Sequence, residues 1–305
     1  MNIEEVENMA NKFLNEVEKI EEIELAKLRK EELLRNYKGD DEIVSWDYFE
    51  EKVRNSPVNE LMPLGHPQLD EFMGGGICKG QLIALTGITK SGKTSWAIDM
   101  THRMQDNNPL WFPFEETAEE LVSKHIKYNR ALPRAYSPKN LTNYSIEWIE
   151  EKIIESVIKY NTKLVFVDHL HFLANFGETK ERFDLQLTKL VSDLKKLAKK
   201  TDTAIVLIVH LRKVLLDKAP DINDIKETSS VAQWADKVLI VWREAEKDKK
   251  TGHLTYSGMT YVQLGADRQT GNVETLGYRY DKGTYHEESA EALMQFLSEK
   301  SKPDF

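Results

Sequence analysis

The chain has 305 residues, 40% hydrophobic and 30% charged, enough for one large α/β domain plus an appendage or for two small domains. A net charge of −9 and a pI near 5.5 give no global attraction to nucleic acid, so any such contact has to come from local basic loops. The single cysteine, Cys78, excludes a disulfide framework or a cysteine-based zinc site. No apolar run reaches the length of a membrane span, and the acidic N-terminus lacks a signal-peptide apolar region, so a reducing cytoplasm is expected.

Residues 1–38 contain neither Gly nor Pro, and Ile3, Val6, Ala10, Phe13, Val17 and Ile20 alternate at spacings of three and four. That is a coiled-coil-like seam. It breaks near Glu21–Glu24 and resumes with Leu25, Leu28, Leu33 and Leu34. Two readings stay open: a helix or helical hairpin packed on its own domain, or a docking or oligomerisation helix. After Gly39-Asp40-Asp41, the stretch Ile43–Asn55 reads as a second short helix, with Ser45 as N-cap and Tyr48, Phe49 and Val53 on one face. Leu64–Gly80 reads as a loop, a short helix carrying Leu69 and Phe72, and a glycine-rich turn.

Gln81–Thr86 has buried-strand character, and Gly87-Ile88-Thr89-Lys90-Ser91-Gly92-Lys93-Thr94 follows it in the pattern G-x-x-x-x-G-K-T. A helical stretch comes next, from Ser95 to Met104. Strand, glycine-rich turn and helix N-terminus together build an anion site, because backbone N–H groups point inward and the helix dipole favours negative charge. Gly87, Ser91, Gly92, Lys93, Thr94 and Ser95 are the expected nucleotide cradle. Lys93 is placed to reach the β- and γ-phosphates, and the Thr94 hydroxyl to ligate Mg²⁺. The implied ligands are ATP and Mg²⁺.

Beyond this loop, the apolar runs Pro109–Phe114, Lys163–Val167, Ala204–Val209 and Lys237–Trp242 alternate with helical patterns at Thr117–Asn129, Ser145–Tyr160 and Arg182–Lys200. That alternation predicts a mostly parallel sheet covered on both faces. Past Arg243, Tyr261–Arg268 and Val273–Asp281 read as antiparallel strands joined by Gln269–Asn272 at one sheet edge. The tail from His286 reads as a short helix followed by a polar end.

Hydrolysis needs a metal-side carboxylate, a base that aligns water, a sensor of the γ-phosphate and a cation for the transition state. Strand ends offer candidates, and in open α/β sheets ligands sit at that edge. Asp168 closes the apolar run Leu164–Val167 in the Walker B manner. Glu115 ends Trp111–Phe114 as the candidate base, with Glu116 as the neighbouring alternative. His210 ends Ile205–Val209 as the candidate sensor. Arg268, in the Thr-Gly hairpin, is either an arginine finger serving a neighbouring subunit or a solvent-exposed hairpin side chain.

Taken in order, these motifs resemble the RecA-fold motor domain of DnaB-like replicative ring helicases, most of all the phage primase-helicase and Twinkle branch. The likeness spans roughly residues 43–285. It is carried by Leu64–Gly80, Asp168-His169, Gly177–Lys200, Val209–Lys213, Ile222–Asp236 and Arg268–Tyr280. The resemblance implies a RecA-like P-loop NTPase core over residues 61–285, preceded by a helical extension (1–40) and a linker helix (41–60), and followed by a tail (286–305). It also implies a hexameric ring moving 5′ to 3′ on single-stranded DNA. In it Lys93, Glu115, Asp168, His210 and Arg268 are catalytic, and Thr94 and Asp168 hold the metal. Arg243 and Tyr280 sandwich the nucleotide base, and Ile43–Asn55 docks on the next subunit.

Loops facing the channel, Ala174–Arg182 and Arg212–Lys226, would offer Lys180, Arg182, Arg212, Lys213, Lys218 and Lys226 to DNA phosphates, with Phe176 as their one aromatic. A lysine common in the family two residues before the finger arginine is Ala266 here. No primase segment or zinc ribbon precedes the motor, so a separate primase is expected, with a polymerase or loader as further partners and no membrane contact. The expected location is the cytoplasm, of a host cell if the gene is phage-borne. A RecA-like recombination or strand-annealing ATPase, and a KaiC-like regulatory ATPase that moves no DNA, share the P-loop and its lead-in and remain alternatives.

Overall fold

A computed structural model of the chain describes residues 3–36, 43–55, 60–88, 90–128, 130–141, 143–169, 183–210, 229–247 and 254–289. The chain divides into two units, Met1–Val58 and Asn59–Phe305. The first holds two helices. α1 (Ile3–Asn36) runs unbroken through Glu21–Glu24, so the change of apolar phase there makes no hairpin. Nothing in that stretch breaks a helix; Glu, Lys, Leu and Ile all sustain one. Phe13, Ile20 and Leu28 on it are exposed. α2 (Trp46–Asn55) starts directly after Ser45, and Trp46, Tyr48, Phe49 and Val53 on it are each at least 52% exposed.

The second unit opens with β1 (Leu61–Met62), paired antiparallel with β2 (Ile77–Cys78), and between them α3 (Pro67–Phe72), as the lead-in predicts. Both Asp70 carboxylate oxygens close this loop, accepting from the Leu64, Gly65 and His66 amides at 2.6, 2.9 and 3.2 Å.

A second sheet carries the rest. β3 (Leu82–Gly87), β4 (Leu110–Pro113), β5 (Leu164–Asp168), β6 (Ala204–His210) and β7 (Lys237–Lys247) are parallel. β8 (Leu254–Asp267), β9 (Glu274–Asp281) and β10 (Thr284–Glu287) continue it antiparallel, in the order β10-β9-β8-β7-β3-β6-β5-β4. Alternate residues feed two cores, as the period of two requires. On one face Leu82, Ala84, Val165, Val167, Ile205 and Leu207 pack with α6 (Ile146–Tyr160) and α7 (Phe183–Lys200). On the other, Ile83, Leu85, Phe166 and Val206 pack with Trp96, Ala97 and Met100 of α4 (Lys93–Arg103) and with Leu121 of α5 (Ala118–Lys127). α8 (Ser229–Trp234) leads into β7. This is a RecA-like sheet with helices on both sides.

The helix starts follow local chemistry. Thr117 and Glu120 form a reciprocal capping box on α5, and the Ser145 hydroxyl accepts from the Trp148 amide on α6.

The expected start of a helix at His286 is corrected. His286 and Glu287 belong to strand β10, in register with Arg279 and Tyr278. The two turn residues Lys282 and Gly283 take φ of 43° and 87°, which matches the tight hairpin turn that folds a strand straight back. Tyr285 thereby enters the core, and Glu287 accepts from the Gln68 and Leu69 amides at the start of α3. The remainder of the expected tail, 290–305, lies outside the described residues.

Candidate nucleotide-hydrolysis site

β3 lies between β6 and β7, and its C-terminal end opens into the loop Gly87–Thr94, of which all but Thr89 is described. A Cβ on Gly87 would fall 2.1 Å from the Val241 carbonyl oxygen and 2.6 Å from Ser91 Oγ, so only glycine lets β7 and the loop close in here. α4 then begins at Lys93. It is held from behind by Arg103, which donates to Asp99 at 2.7 Å, to the Gly65 carbonyl at 2.7 Å and to the Tyr285 carbonyl at 2.6 Å. Lead-in, P-loop helix and final hairpin are thus tied through one guanidinium.

The strand ends bring the predicted residues together. His210 pairs in register with Gly87, and Asp168 with Pro113 and Ile208. Lys93, buried, donates to the Gly87 and Ile88 carbonyls at 3.0 and 3.1 Å and lies 3.0 Å from His210 Nδ1. Its ammonium is lowered to about 8 by burial, against the pull of Glu115 and Asp168. Burial, helped by the charges of Glu115 and Glu116, raises the Asp168 carboxyl to about 7, with Lys93 and Lys124 opposing.

Glu115 Oε2 stands 3.4 Å from His210 Nε2 and 3.4 Å from His169 Nδ1. Glu116 instead turns to Lys124, with which it forms an ion pair. Of the two adjacent carboxylates, Glu115 is therefore the one that joins the strand-end cluster.

The donor set fits a phosphate and a hard divalent ion. Asp168 Oδ1 and Ser91 Oγ are buried and accept no hydrogen bond among the described residues. A buried carboxylate oxygen of that kind costs stability unless something positive meets it. Thr94 follows Lys93 at the helix start, where a phosphate and its metal sit. The chemistry such a site supports is phosphoryl transfer to water.

Arg243 and Tyr280 lie at the same sheet edge as the loop, with a tyrosine that the sequence reading missed. Tyr285 Oη donates to the Gly92 carbonyl at 3.4 Å, and its ring packs 4.8 Å from that of Tyr280. Burial pushes Tyr280 up to about 12 and raises Tyr285 as well, with Arg243 acting against the latter. The turn at Lys282-Gly283 was the one available signal for Tyr285, since a glycine followed by alternating Thr-Tyr-His-Glu reads as a strand.

Arg268 is not brought to the loop. Its amide donates to Asp236, whose own amide donates to Leu82 at the start of β3, and its guanidinium donates to the Gln233 carbonyl. Leu82 and Gly87 are five steps apart on β3, ~17 Å at about 3.3 Å per residue. Arg268 sits at the opposite edge of the sheet from its own P-loop. Ala266 packs against the core beside it, opposite Val238. Lys180, Arg182, Arg212, Lys213, Lys218, Lys226 and Phe176 lie outside the described residues. β5 and β6 themselves end at the P-loop edge.

Sheet order, loop and strand-end carboxylates define a P-loop NTPase of RecA-like fold. Comparison narrows the class. Residues 138–286 match the DnaB-like helicase C terminal domain family. The replicative DNA helicase DnaB of Helicobacter pylori (strain ATCC 700392 / 26695) is 26% identical over 260 residues, covering 70% of this chain and 53% of that protein. A probable replicative DNA helicase of Trieres chinensis is 23% identical, covering 82% of this chain and 63% of its own length. The chain thus spans about half to two thirds of the length of these curated relatives. Among solved structures, the ATPase domain of a phage helicase superposes with a TM-score of 0.67 at 20% identity, over 81% of this chain and 100% of that one. A DnaB-like replicative helicase, solved in a study of its interactions with primase, gives 0.64 at 19%, over 86% and 71%. In sequence and fold the chain is similar to DnaB-like helicases. No helix among its described residues is long and apolar enough to cross a membrane.

Proposed function

We propose that the chain is the ATP-driven motor of a replicative DNA helicase. Six copies form a ring, travel 5′ to 3′ on single-stranded DNA in the cytoplasm and open the duplex ahead. The observation that carries this reading is the placement of Arg268 and the P-loop at opposite edges of one sheet. A copy cannot complete its own site, but copies arranged head to tail can complete one another's.

In this reading residues 61–285 are the motor and the exposed apolar face of α2 docks on the next copy. Lys93 binds the β- and γ-phosphates, while Thr94 and Asp168 hold Mg²⁺, which neutralises charge that builds on the phosphates. Glu115 aligns water and accepts its proton, a role that favours the half-exposed carboxylate over the buried Asp168. His210 turns from Lys93 to the γ-phosphate once nucleotide draws Lys93 away. Arg268 of the neighbour stabilises the transition state, and Arg243 and Tyr280 hold the base. Lys180, Arg182, Arg212, Lys213, Lys218 and Lys226 follow the DNA backbone. A separate primase, with a polymerase or loader, completes the assembly.

The test mixes two inactive proteins. Arg268→Ala should bind nucleotide and hydrolyse it poorly, and Glu115→Gln should do the same for a different reason. Hybrid rings of the two restore some turnover at interfaces that carry both intact groups, and wild type unwinds a forked substrate with a 5′ tail. Absence of turnover at every mixing ratio counts against the shared site. DNA-stimulated ATPase without unwinding points to a recombination ATPase, and indifference to DNA points to a regulatory one.

A further inference from the structure

The strand-end cluster has a second chemistry that phosphoryl transfer does not use. Glu115 Oε2, His169 Nδ1 and His210 Nε2 converge from the ends of β4, β5 and β6, and their ligand atoms all lie within 4.8 Å of one another. Two of the three separations, from Glu115 Oε2 to each imidazole nitrogen, are 3.4 Å. Ligands bound to one zinc ion at about 2.1 Å and tetrahedral angles stand about 3.4 Å apart. The rings of His169 and His210 meet edge to face, at 4.6 Å and 89°, and do not stack.

Two imidazoles and one carboxylate form a borderline-soft donor set, suited to zinc and poorly matched to Mg²⁺, which asks for oxygen. Three protein ligands with a fourth position left to water is the pattern of an open zinc site. We propose that Glu115, His169 and His210 bind a zinc-class divalent ion, separate from the Mg²⁺ held by Thr94 and Asp168, and that its binding switches hydrolysis off.

The inhibition follows from shared atoms. An Oε2 lone pair bonded to the ion no longer accepts a proton from water. An ion on His210 Nε2 leaves the ring proton on Nδ1, which then cannot accept from Lys93 3.0 Å away. The metal-binding half of the proposal stands on geometry alone. The inhibitory half also rests on Glu115 being the base.

Zinc uptake by the full chain is measured by competition with a chromophoric chelator, and Co²⁺ serves as a spectroscopic probe of coordination. Wild type should take up one tight Zn²⁺ per chain and give the intense visible absorption of four-coordinate Co²⁺. His169→Ala should bind at least tenfold more weakly, with an unchanged circular dichroism spectrum. His169→Cys, which keeps a ligand at that position, should recover uptake. Equal uptake by wild type and His169→Ala, or no uptake beyond the chelator's reach, overturns the site. Zn²⁺ should also suppress Mg²⁺-ATP hydrolysis by wild type, and at least tenfold more of it should be needed for His169→Ala, each relative to its own zinc-free rate. Binding without suppression overturns the inhibitory half and removes Glu115 as base, while turnover in the absence of zinc reports on the proposed motor independently.

Discussion

Lys237 and Asp267 form an ion pair at 2.6 Å with both side chains fully excluded from solvent. Lys237 also donates to the Met73 carbonyl at 3.1 Å, and Asp267 Oδ1 accepts from the Gln269 and Thr270 amides at 2.8 and 3.3 Å. The pair therefore joins the lead-in, the start of β7 and the turn that bears Arg268. Breaking a buried pair by removing one partner leaves an uncompensated charge and costs ~3–5 kcal/mol. Lys237→Met and Asp267→Asn should each lose about that much. The double variant carries no buried charge, and Asn retains the acceptor for the two turn amides. Its loss should fall short of the sum of the single losses by ~2 kcal/mol or more, the signature of direct coupling. With a urea slope of ~3 kcal/mol/M, each single variant moves the unfolding midpoint down by ~1–1.7 M. Equilibrium urea denaturation followed by tryptophan fluorescence reads all four proteins. Single losses under about 1 kcal/mol, or strict additivity, would refute this account of the pair.

Gly87→Ala should abolish nucleotide binding and lower the melting temperature, because its Cβ meets the Val241 carbonyl at 2.1 Å; tight binding of a fluorescent ADP analogue by this variant contradicts the close approach. Affinity for ADP should fall as pH rises from 7 to 9. Lys93 in the free protein sits at about 8, so rising pH removes its charge, whereas bound phosphate restores it and draws a proton in. Calorimetry in buffers of different ionisation enthalpy measures that uptake, and a pH-independent affinity with no uptake speaks against it. Thr117→Ala removes the acceptor for the Glu120 amide and should cost ~1 kcal/mol in thermal or urea unfolding, with no change in nucleotide affinity.

Much of the fold was legible because buried parallel strands write themselves as apolar runs. Leu164–Val167 and Ile205–Val209 have no polar residue to confuse the period, and each ends where the first chemistry-bearing side chain appears. Thr117, Ser145 and the P-loop glycines mark their helices and turns by local rules. β10 offered only the Lys282-Gly283 turn and a four-residue alternation as its signal, since Thr284–Glu287 is short and polar and is fixed as a strand by pairing with β9. Tyr285 and Glu287 act at long range, on Gly92 and on α3, and no spacing in the sequence announces that. His169 was visible only as part of a motif. Its approach to Glu115 and His210 depends on three strand ends from separate parts of the chain meeting at one edge.

The position of Arg268 is where sequence and topology say different things about the same residue. In sequence, an arginine in a Thr-Gly hairpin is equally an exposed side chain. In the fold, β8 runs antiparallel to β7, so the turn after it returns to the edge where β3 begins. Asp267, buried against Lys237, fixes the residue just before the arginine, and Thr270 and Asn272 bond the Phe72 carbonyl just after it. A side chain with no task beyond solvation needs no such anchoring on both flanks. An arginine spans ~7 Å at most from its Cα, less than half of the ~17 Å to its own P-loop. Arg268 therefore cannot serve its own P-loop, and in the proposed ring it would complete the site of the neighbouring copy.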